Sequence, residues 1–187
     1  MSRVRIVFSG SGGQGVITAS IILAEAAVLH DGLNAVQSQS YGPEARGGHS
    51  RSDVIISRDE IRFPKVTQPN ILICLTQDAY NKFYPTLRPG GLLIVDNHYV
   101  TVASTTDTKA VRLDLYDGVM ERFNNPIVLN ICTLGALVSL VPVVRGESVR
   151  RVVESRVPAD FVQMNNQAFD LGKELARPHG VQWEVAW

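Results

Sequence analysis

The sequence has little of what an iron–sulfur protein, a nucleic-acid-binding protein or a membrane protein needs. It contains two cysteines, Cys74 and Cys132, whereas an iron–sulfur cluster takes about four thiolates. Its 18 basic and 18 acidic residues cancel, while domains that bind nucleic acid through phosphates carry a basic excess. No run reaches the roughly 18 apolar residues of a membrane span, and no signal peptide is recognisable at the N-terminus. We therefore expect a cytoplasmic protein that binds neither nucleic acid nor membrane.

The remaining composition is that of an ordinary globular domain. With 187 residues, 45% of them hydrophobic, the chain can bury one core, and we expect a single domain over residues 1–187. The four histidines lie far apart in sequence, without the spacing of a zinc site, so we predict no metal site. Each cysteine stands in an apolar run, and we interpret both as buried small hydrophobic residues.

Short apolar runs alternate with helix-compatible segments and predict an α/β fold. Predicted strands cover residues 5–8, 35–38, 53–57, 71–75, 92–95 and 111–113. Several are almost continuously apolar, which is typical of parallel strands covered by helices on both faces. Strand-like runs on either side of residues 57–60 predict an antiparallel hairpin over 53–63. We therefore expect a three-layer Rossmann-like domain whose mostly parallel sheet contains an antiparallel hairpin.

The second half of the chain is predicted to be more helical than the first. Predicted helices cover residues 16–29, 77–84, 114–123, 128–141, 148–156 and 161–177. Helices 16–29 and 128–141 are apolar nearly all round, so each is covered either inside the fold or by another chain, such as a second copy in a homodimer. The tail 181–187 alternates apolar and polar residues, which fits an edge strand, a docking segment or a disordered terminus.

A glycine-rich loop connects the first predicted strand to the first predicted helix. Its spacing is G-x-G-x-x-G, and in this context backbone amides can converge on a phosphate. The second strand lacks the acid that binds a dinucleotide ribose, and the loop lacks the lysine of a P-loop. Two interpretations are left, a phosphate-binding loop and a tight turn that binds nothing. The candidate contacts are Gly10, Ser11, Gly12, Gly13, Gln14 and Gly15.

Residues 37–52 form a second unusual segment, predicted as a long loop at the end of a strand. It is dense in glycine, hydroxyl and guanidinium groups, and ligands of α/β sheets bind in this region. Arg46 and Arg51 are shaped to clamp a phosphate or carboxylate, and we add Tyr41 and Glu44 to the candidate site. Glu44 can equally be the local partner of Arg46 in a solvated loop. No local arrangement of serine, histidine and acid predicts catalytic residues.

These two segments carry a resemblance to a known family. The sequence G-x-G-G-Q-G-V at 10–16, the run S-Y-G-P-E-A-R-G-G at 40–48 and S-R-S-D-V at 50–54 resemble the gamma subunit, or gamma domain, of the 2-oxoacid:ferredoxin oxidoreductases. Further matches at 64–66, 69–72, 76–80, 87–91 and 166–172 extend the resemblance over essentially the whole chain. It is most similar to the 2-oxoglutarate branch.

The resemblance implies a subunit rather than a complete enzyme. Such complexes convert a 2-oxoacid, coenzyme A (CoA) and oxidised ferredoxin into acyl-CoA, carbon dioxide and reduced ferredoxin. Thiamine diphosphate, Mg²⁺ and the iron–sulfur clusters are expected in alpha, beta and ferredoxin-like delta partners, with no cofactor held by this chain alone. The glycine loop and residues 41–51 would then form a ligand or subunit contact beside the CoA path. The alternatives are a stand-alone NAD(P)-dependent oxidoreductase and a purely architectural subunit.

Overall fold

The computed structural model describes residues 3–41, 49–103, 109–183 and 185, which form one six-stranded sheet and six α-helices. The strands are β1 (Arg3–Ser11), β2 (Asn34–Tyr41), β3 (His49–Ser57), β4 (Ile71–Cys74), β5 (Leu92–Asp96) and β6 (Lys109–Leu113). The helices are α1 (Val16–Asp31), α2 (Gln77–Phe83), α3 (Leu115–Phe123), α4 (Leu129–Leu140), α5 (Gly146–Arg156) and α6 (Ala159–Ala176). The α/β class and a mostly parallel sheet with an antiparallel excursion are confirmed.

The sheet order is β2-β3-β1-β4-β5-β6, with β1 near its centre. Strand β3 runs antiparallel to both of its neighbours, and the pairs β1–β4, β4–β5 and β5–β6 are parallel. The antiparallel hairpin is therefore β2–β3, with Asn34 opposite Ser57 and Tyr41 opposite Ser50.

Two sequence predictions about this region are wrong. Residues 61–63 are not a strand, because the chain leaves the sheet after Ser57. Ile61 packs against the apolar core on the α2 face of the sheet, while Phe63 is 62% exposed. Residues 39–41 and 49–52, predicted as loop, belong to β2 and β3. Polar side chains can pair across this ladder, since Gln37 of β2 donates to Ser52 Oγ of β3 (2.7 Å).

The two faces of the sheet are covered unequally. Helices α1, α3, α4, α5 and α6 contribute to the large apolar core on one face. The other face packs against α2 and the apolar residues Val66, Val100 and Val102. Strands β4 and β5 are buried along their whole length because their side chains enter both layers.

Helix α4 lies in the middle of the large core. Its close packing on α6 depends on two glycines: a Cβ on Gly135 would overlap with the carbonyl oxygen of Phe169, and a Cβ on Gly172 with that of Cys132. The core interpretation of this apolar helix is therefore confirmed. Helix α1 differs, since Val28 and Leu29 near its end are 47% and 66% exposed.

The C-terminal tail packs on the core without forming a strand over residues 181–183. The Gln182 N–H donates to the Leu140 carbonyl (2.8 Å), and Trp183 and Val185 contact the large core. The edge-strand prediction is wrong for these residues, while 184, 186 and 187 lie outside the described ranges. Across the described ranges we find no helix with the length and apolarity of a membrane span.

Candidate functional site

The glycine loop lies at the point where the sheet changes direction. From β1 the chain crosses through α1 to β2, toward one edge of the sheet. From β4 it crosses through α2 to β5, toward the opposite edge. Ligands of open α/β sheets bind in the crevice outside the carboxyl ends of strands at such a switch point. A cleft of about 470 Å³ occupies this position. Its lining consists of Ser11, Gly13, Gln14, Thr76, Tyr99, Tyr116, Asn125, Pro126, Ile127 and Leu129.

The loop owes its shape to glycines with positive φ. Gly13 has φ 90° and Gly15 has φ 70°, a region that other residues adopt only with strain. A Cβ on Gly15 would also lie 2.8 Å from the Asn130 side chain. Gly15 begins α1 without a side-chain hydrogen bond at the cap, and the first turn carries no acidic residue. The start of α1 therefore keeps the positive end of its dipole, which favours an anion.

Gln14 closes the loop from inside. Its Oε1 accepts a hydrogen bond from the Ser11 N–H (2.7 Å), and its Nε2 donates to the Leu75 carbonyl (3.1 Å) at the end of β4. A Cβ on Gly10 would overlap with Gln14 Oε1. The carboxamide thus ties the loop to β4 and occupies one of the amides that a phosphate cradle would use.

An aromatic cluster forms the opposite wall of the cleft. The rings of His98, Tyr99 and Tyr116 lie 4.5 to 5.0 Å apart between centroids, and His98 Nδ1 lies 2.7 Å from Asp117 Oδ1. Burial, together with the hydrogen bond to Tyr116, raises the pKa of Tyr99 to about 12. At neutral pH the cleft therefore presents a neutral phenol and a planar aromatic surface.

Asp96 fixes the position of this aromatic wall. Its Oδ1 accepts from the His98 N–H (3.2 Å) and its Oδ2 from the Tyr116 N–H (3.2 Å), so it joins the end of β5 to the start of α3. Burial raises the pKa of Asp96 to about 6. Sequence reasoning missed this cluster. The available signal was position, because the residues directly follow β5 and begin α3 at the carboxyl edge of the sheet.

The structure brings only part of the second predicted segment to the glycine loop. The backbone of β3 runs beside it, with Ser50 opposite Gly10. The Arg51 guanidinium is engaged on the α2 face, where it forms two hydrogen bonds with Asp53 (2.6 and 3.0 Å) and one with the Val66 carbonyl (2.9 Å). Tyr41 ends β2. Glu44 and Arg46 lie outside the described residues, and their ligand contacts stay predictions.

The two cysteines are confirmed as buried. Cys74 lies in the α2-side core and Cys132 in the large core. Burial raises the pKa of both thiols to about 12. Two protonated thiols on opposite faces of a sheet do not fit an iron–sulfur cluster, which needs converging thiolates.

Comparison with known proteins identifies the family of this fold and site. The model of the pyruvate ferredoxin/flavodoxin oxidoreductase family matches residues 5–175. The chain is 43% identical to the 2-oxoglutarate synthase subunit KorC of Methanocaldococcus jannaschii, covering 94% of this chain and 95% of that one. It is 33% identical to the gamma subunit of the NADH-dependent phenylglyoxylate dehydrogenase of Aromatoleum evansii, covering 96% and 97%.

A solved structure gives the same answer. The keto/oxoacid ferredoxin oxidoreductase gamma subunit from Geobacter sulfurreducens superimposes with a TM-score of 0.88 at 43% identity, over 96% of this chain and 99% of that one. The resemblance derived from the sequence motifs is confirmed. The chain belongs to the pyruvate ferredoxin/flavodoxin oxidoreductase family, in which its near-full-length relatives are subunits of oxoacid oxidoreductases.

Proposed function

We propose that the chain is the gamma subunit of a cytoplasmic 2-oxoglutarate:ferredoxin oxidoreductase, working with alpha, beta and ferredoxin-like delta subunits. The complex would convert a 2-oxoacid, CoA and oxidised ferredoxin into acyl-CoA, carbon dioxide and reduced ferredoxin. The observation that carries this proposal is the 43% identity to a 2-oxoglutarate synthase subunit over nearly the whole of both chains.

In this proposal the chain itself does no redox chemistry. Its buried, protonated cysteines do not fit a cluster, so the iron–sulfur clusters, and with them thiamine diphosphate and Mg²⁺, would belong to the partner subunits. What the chain contributes is assembly and one wall of a ligand path. Purification of a tagged copy co-expressed with the three partner chains tests the assembly; a tagged copy that elutes alone would contradict it.

The cleft at the glycine loop supports a CoA contact. CoA combines phosphates, a planar adenine and an uncharged arm, and the cleft combines glycine amides at the positive end of α1 with aromatic rings and the Thr76 and Asn125 side chains. A phosphate would have to share the loop with Gln14, because that carboxamide already holds the Ser11 amide. Arg46, whose position is not described, is proposed as a further anion contact.

The Gly12→Ala variant separates the ligand interpretation from the architectural one. A Cβ on Gly12 meets nothing within 4 Å, and its φ lies outside the glycine-favoring region, so the methyl group leaves the fold intact while it adds volume to open space at the loop. We expect the KM for CoA of the assembled complex to rise several-fold with an unchanged melting temperature. Gly146→Ala is the control, since its Cβ makes only ordinary contacts with Phe169 and Val138. An unchanged KM would leave the loop a purely structural role.

The second candidate function is nicotinamide binding. It is favoured by the gamma subunit of an enzyme named NADH-dependent among the relatives and by the glycine spacing. Against it, β2 carries no acidic residue to hold the ribose. Titration of the isolated chain with NADH and NADPH decides between the two, because only this candidate predicts saturable binding.

A further inference from the structure

The two edges of the sheet are protected to different degrees. At one edge β6 is five residues long and carries Lys109 and Arg112. A short edge strand with charged side chains resists edge-to-edge pairing. At the other edge β2 is eight residues long and contains neither charge nor proline. Within the described part of the chain it pairs only with β3. Among the described residues, no strand therefore pairs with the outer row of β2 backbone donors and acceptors.

An apolar stripe on α1 runs alongside this free edge. Ile17, Ile21, Ala24 and Val28 follow the spacing i, i+4, i+7, i+11 of one helix face. The first three are half-buried, with Ile17 and Ala24 in contact with the edge of the large core, and Val28 is 47% exposed. The stripe lies next to Ser20, whose hydroxyl hydrogen bonds to Ser52 (2.6 Å) and accepts from Gln37 of β2 (3.4 Å). This partly buried network fixes the stripe and the strand as one surface.

The acidic residues of α1 do not add charge to this surface, because they are paired elsewhere. Glu25 forms an ion pair with Arg156, and Asp31 accepts from the Arg145 N–H (2.7 Å), both on the α5 side. The edge and the stripe together are therefore neutral along their whole length.

We propose that this surface, β2 together with the stripe on α1, binds a second copy of the chain through antiparallel β2–β2 pairing around a two-fold axis. The two six-stranded sheets become one continuous sheet, and the two α1 helices pack side by side above the junction. With Gln37 on the axis, Ala35 stands opposite Gln39 of the second copy and Val36 opposite Ser38, so no like charges meet.

The position of α1 fits this arrangement. Helix α1 packs mainly over β3 and β2, and neighbouring strands are about 4.8 Å apart. A helix above the boundary between these two strands stands about 5 Å from the two-fold axis. Two copies would bring their α1 axes to about 10 Å, within the 8–10 Å at which helices pack.

A second copy is favoured over a charged partner because the surface is neutral. An uncharged edge does not select an acidic or a basic partner. The β2 backbone and the apolar stripe on α1, however, can each pair with the same feature of a second copy. A two-fold interface requires this self-complementarity, and two-fold dimers are the commonest oligomers.

Sedimentation of the purified full chain with substitutions at Ser38 tests the proposal. We expect the wild type to be dimeric and Ser38→Lys and Ser38→Asp each to weaken the dimer at least tenfold, because like charges meet within a Debye length of about 10 Å. Mixing the two variants restores the dimer, since opposite charges then face each other. Ala110→Lys on the exposed side of β6 is the matched control and leaves the dimer unchanged.

Three results would overturn the proposal. A wild type that stays monomeric at all concentrations excludes the second copy. Dimers that survive both Ser38 variants place the interface elsewhere. A monomeric wild type whose Ser38→Lys variant fails to join the assembled complex assigns the edge to a different subunit. Unfolding of each variant at a concentration at which every chain is monomeric separates effects on folding from effects on association, because dimerisation by itself raises the melting temperature of the wild type. None of these readouts depends on CoA or on turnover.

Discussion

Helices α1 and α4 have nearly the same apolar composition, yet the fold treats them differently. Ten of the twelve residues of α4 are buried, between α6, α3, α5 and α1. Helix α1 buries seven of its sixteen residues and leaves one flank uncovered next to β2. A helix without a polar face is therefore not by itself evidence for a core helix or for an interface. The elements that pack against such a helix decide which of the two it is.

The difference follows from how each helix is covered. Helix α4 is approached closely by α6 because glycines at 135 and 172 remove the side chains from the crossing. Helix α1 is held at its end by polar contacts to α5, where Asp31 accepts hydrogen bonds from Arg145 and Ser148. The first arrangement buries nearly the whole helix, whereas the second leaves an apolar flank for another surface.

The largest expected effect is at the α4–α6 crossing. Gly172→Ala places a methyl group on the backbone carbonyl of Cys132, and the two helices must separate to relieve the overlap. We expect the free energy of unfolding, measured with urea, to fall by about 3 kcal/mol or more.

The matched control for that substitution is Gly118→Ala in α3. There the Cβ would lie 3.3 Å from Leu175 Cδ1, the end of a flexible side chain, and alanine is the better helix former by about 1 kcal/mol. We expect little change or a small gain in stability. Equal losses of unfolding free energy in the two variants would show that stability does not depend on the close contact between α4 and α6.

Identical leucine truncations on the two helices measure the contrast directly. Leu137 of α4 is fully buried and Leu29 of α1 is 66% exposed. Leu137→Ala leaves a cavity and should cost about 3 kcal/mol, whereas Leu29→Ala in the dilute chain should cost less than about 0.5 kcal/mol. Denaturant unfolding of both variants checks this, and comparable costs would contradict the exposure of Leu29 at the end of α1.

A smaller, pH-dependent effect is expected where α1 is tied to α5. Burial alone would raise the pKa of Asp31, but hydrogen bonds from Ser148 and Arg145 outweigh it and hold the pKa below its ordinary value. The stabilisation is thus present above the unfolded-state pKa of about 3.9 and is lost as the pH falls through the lower folded value. Asp31→Asn should cost about 1–2 kcal/mol at neutral pH.

The same comparison in acid provides the check. Below the folded pKa of Asp31 the wild type carries a protonated carboxyl, so its unfolding free energy should converge with that of Asp31→Asn. A difference between the two that stays constant from neutral to strongly acidic pH would show that the charge on Asp31 plays no part in holding α1.

The central strands and the glycine loop were predictable because their signals are local. Strands β1, β4 and β5 are apolar on both faces, and a glycine motif between a strand and a helix has few other meanings. The β2–β3 hairpin was misplaced because its serines and glutamines hide the alternation that marks a strand. Those side chains hydrogen bond to each other across the ladder and to Ser20. Such long-range partners leave no periodic pattern in the sequence.

The candidate site was predictable on one wall only. The glycine loop is contiguous in sequence, but the aromatic wall combines the residues after β5 with the first turn of α3, and Asp96 joins them only in the folded chain. The side chain of Arg51 was expected at a ligand, yet its strand position directs it to Asp53 on the other face. Direction across a strand depends on register, which the sequence alone left open.

The measurement that tests the account most directly is 2-oxoglutarate- and CoA-dependent ferredoxin reduction by the complex, reconstituted with and without this chain. We predict that activity falls to background when the chain is left out, and that the isolated chain neither binds nor turns over NADH or NADPH. Undiminished activity without the chain, or nicotinamide turnover by the chain alone, would contradict its role as a non-catalytic gamma subunit.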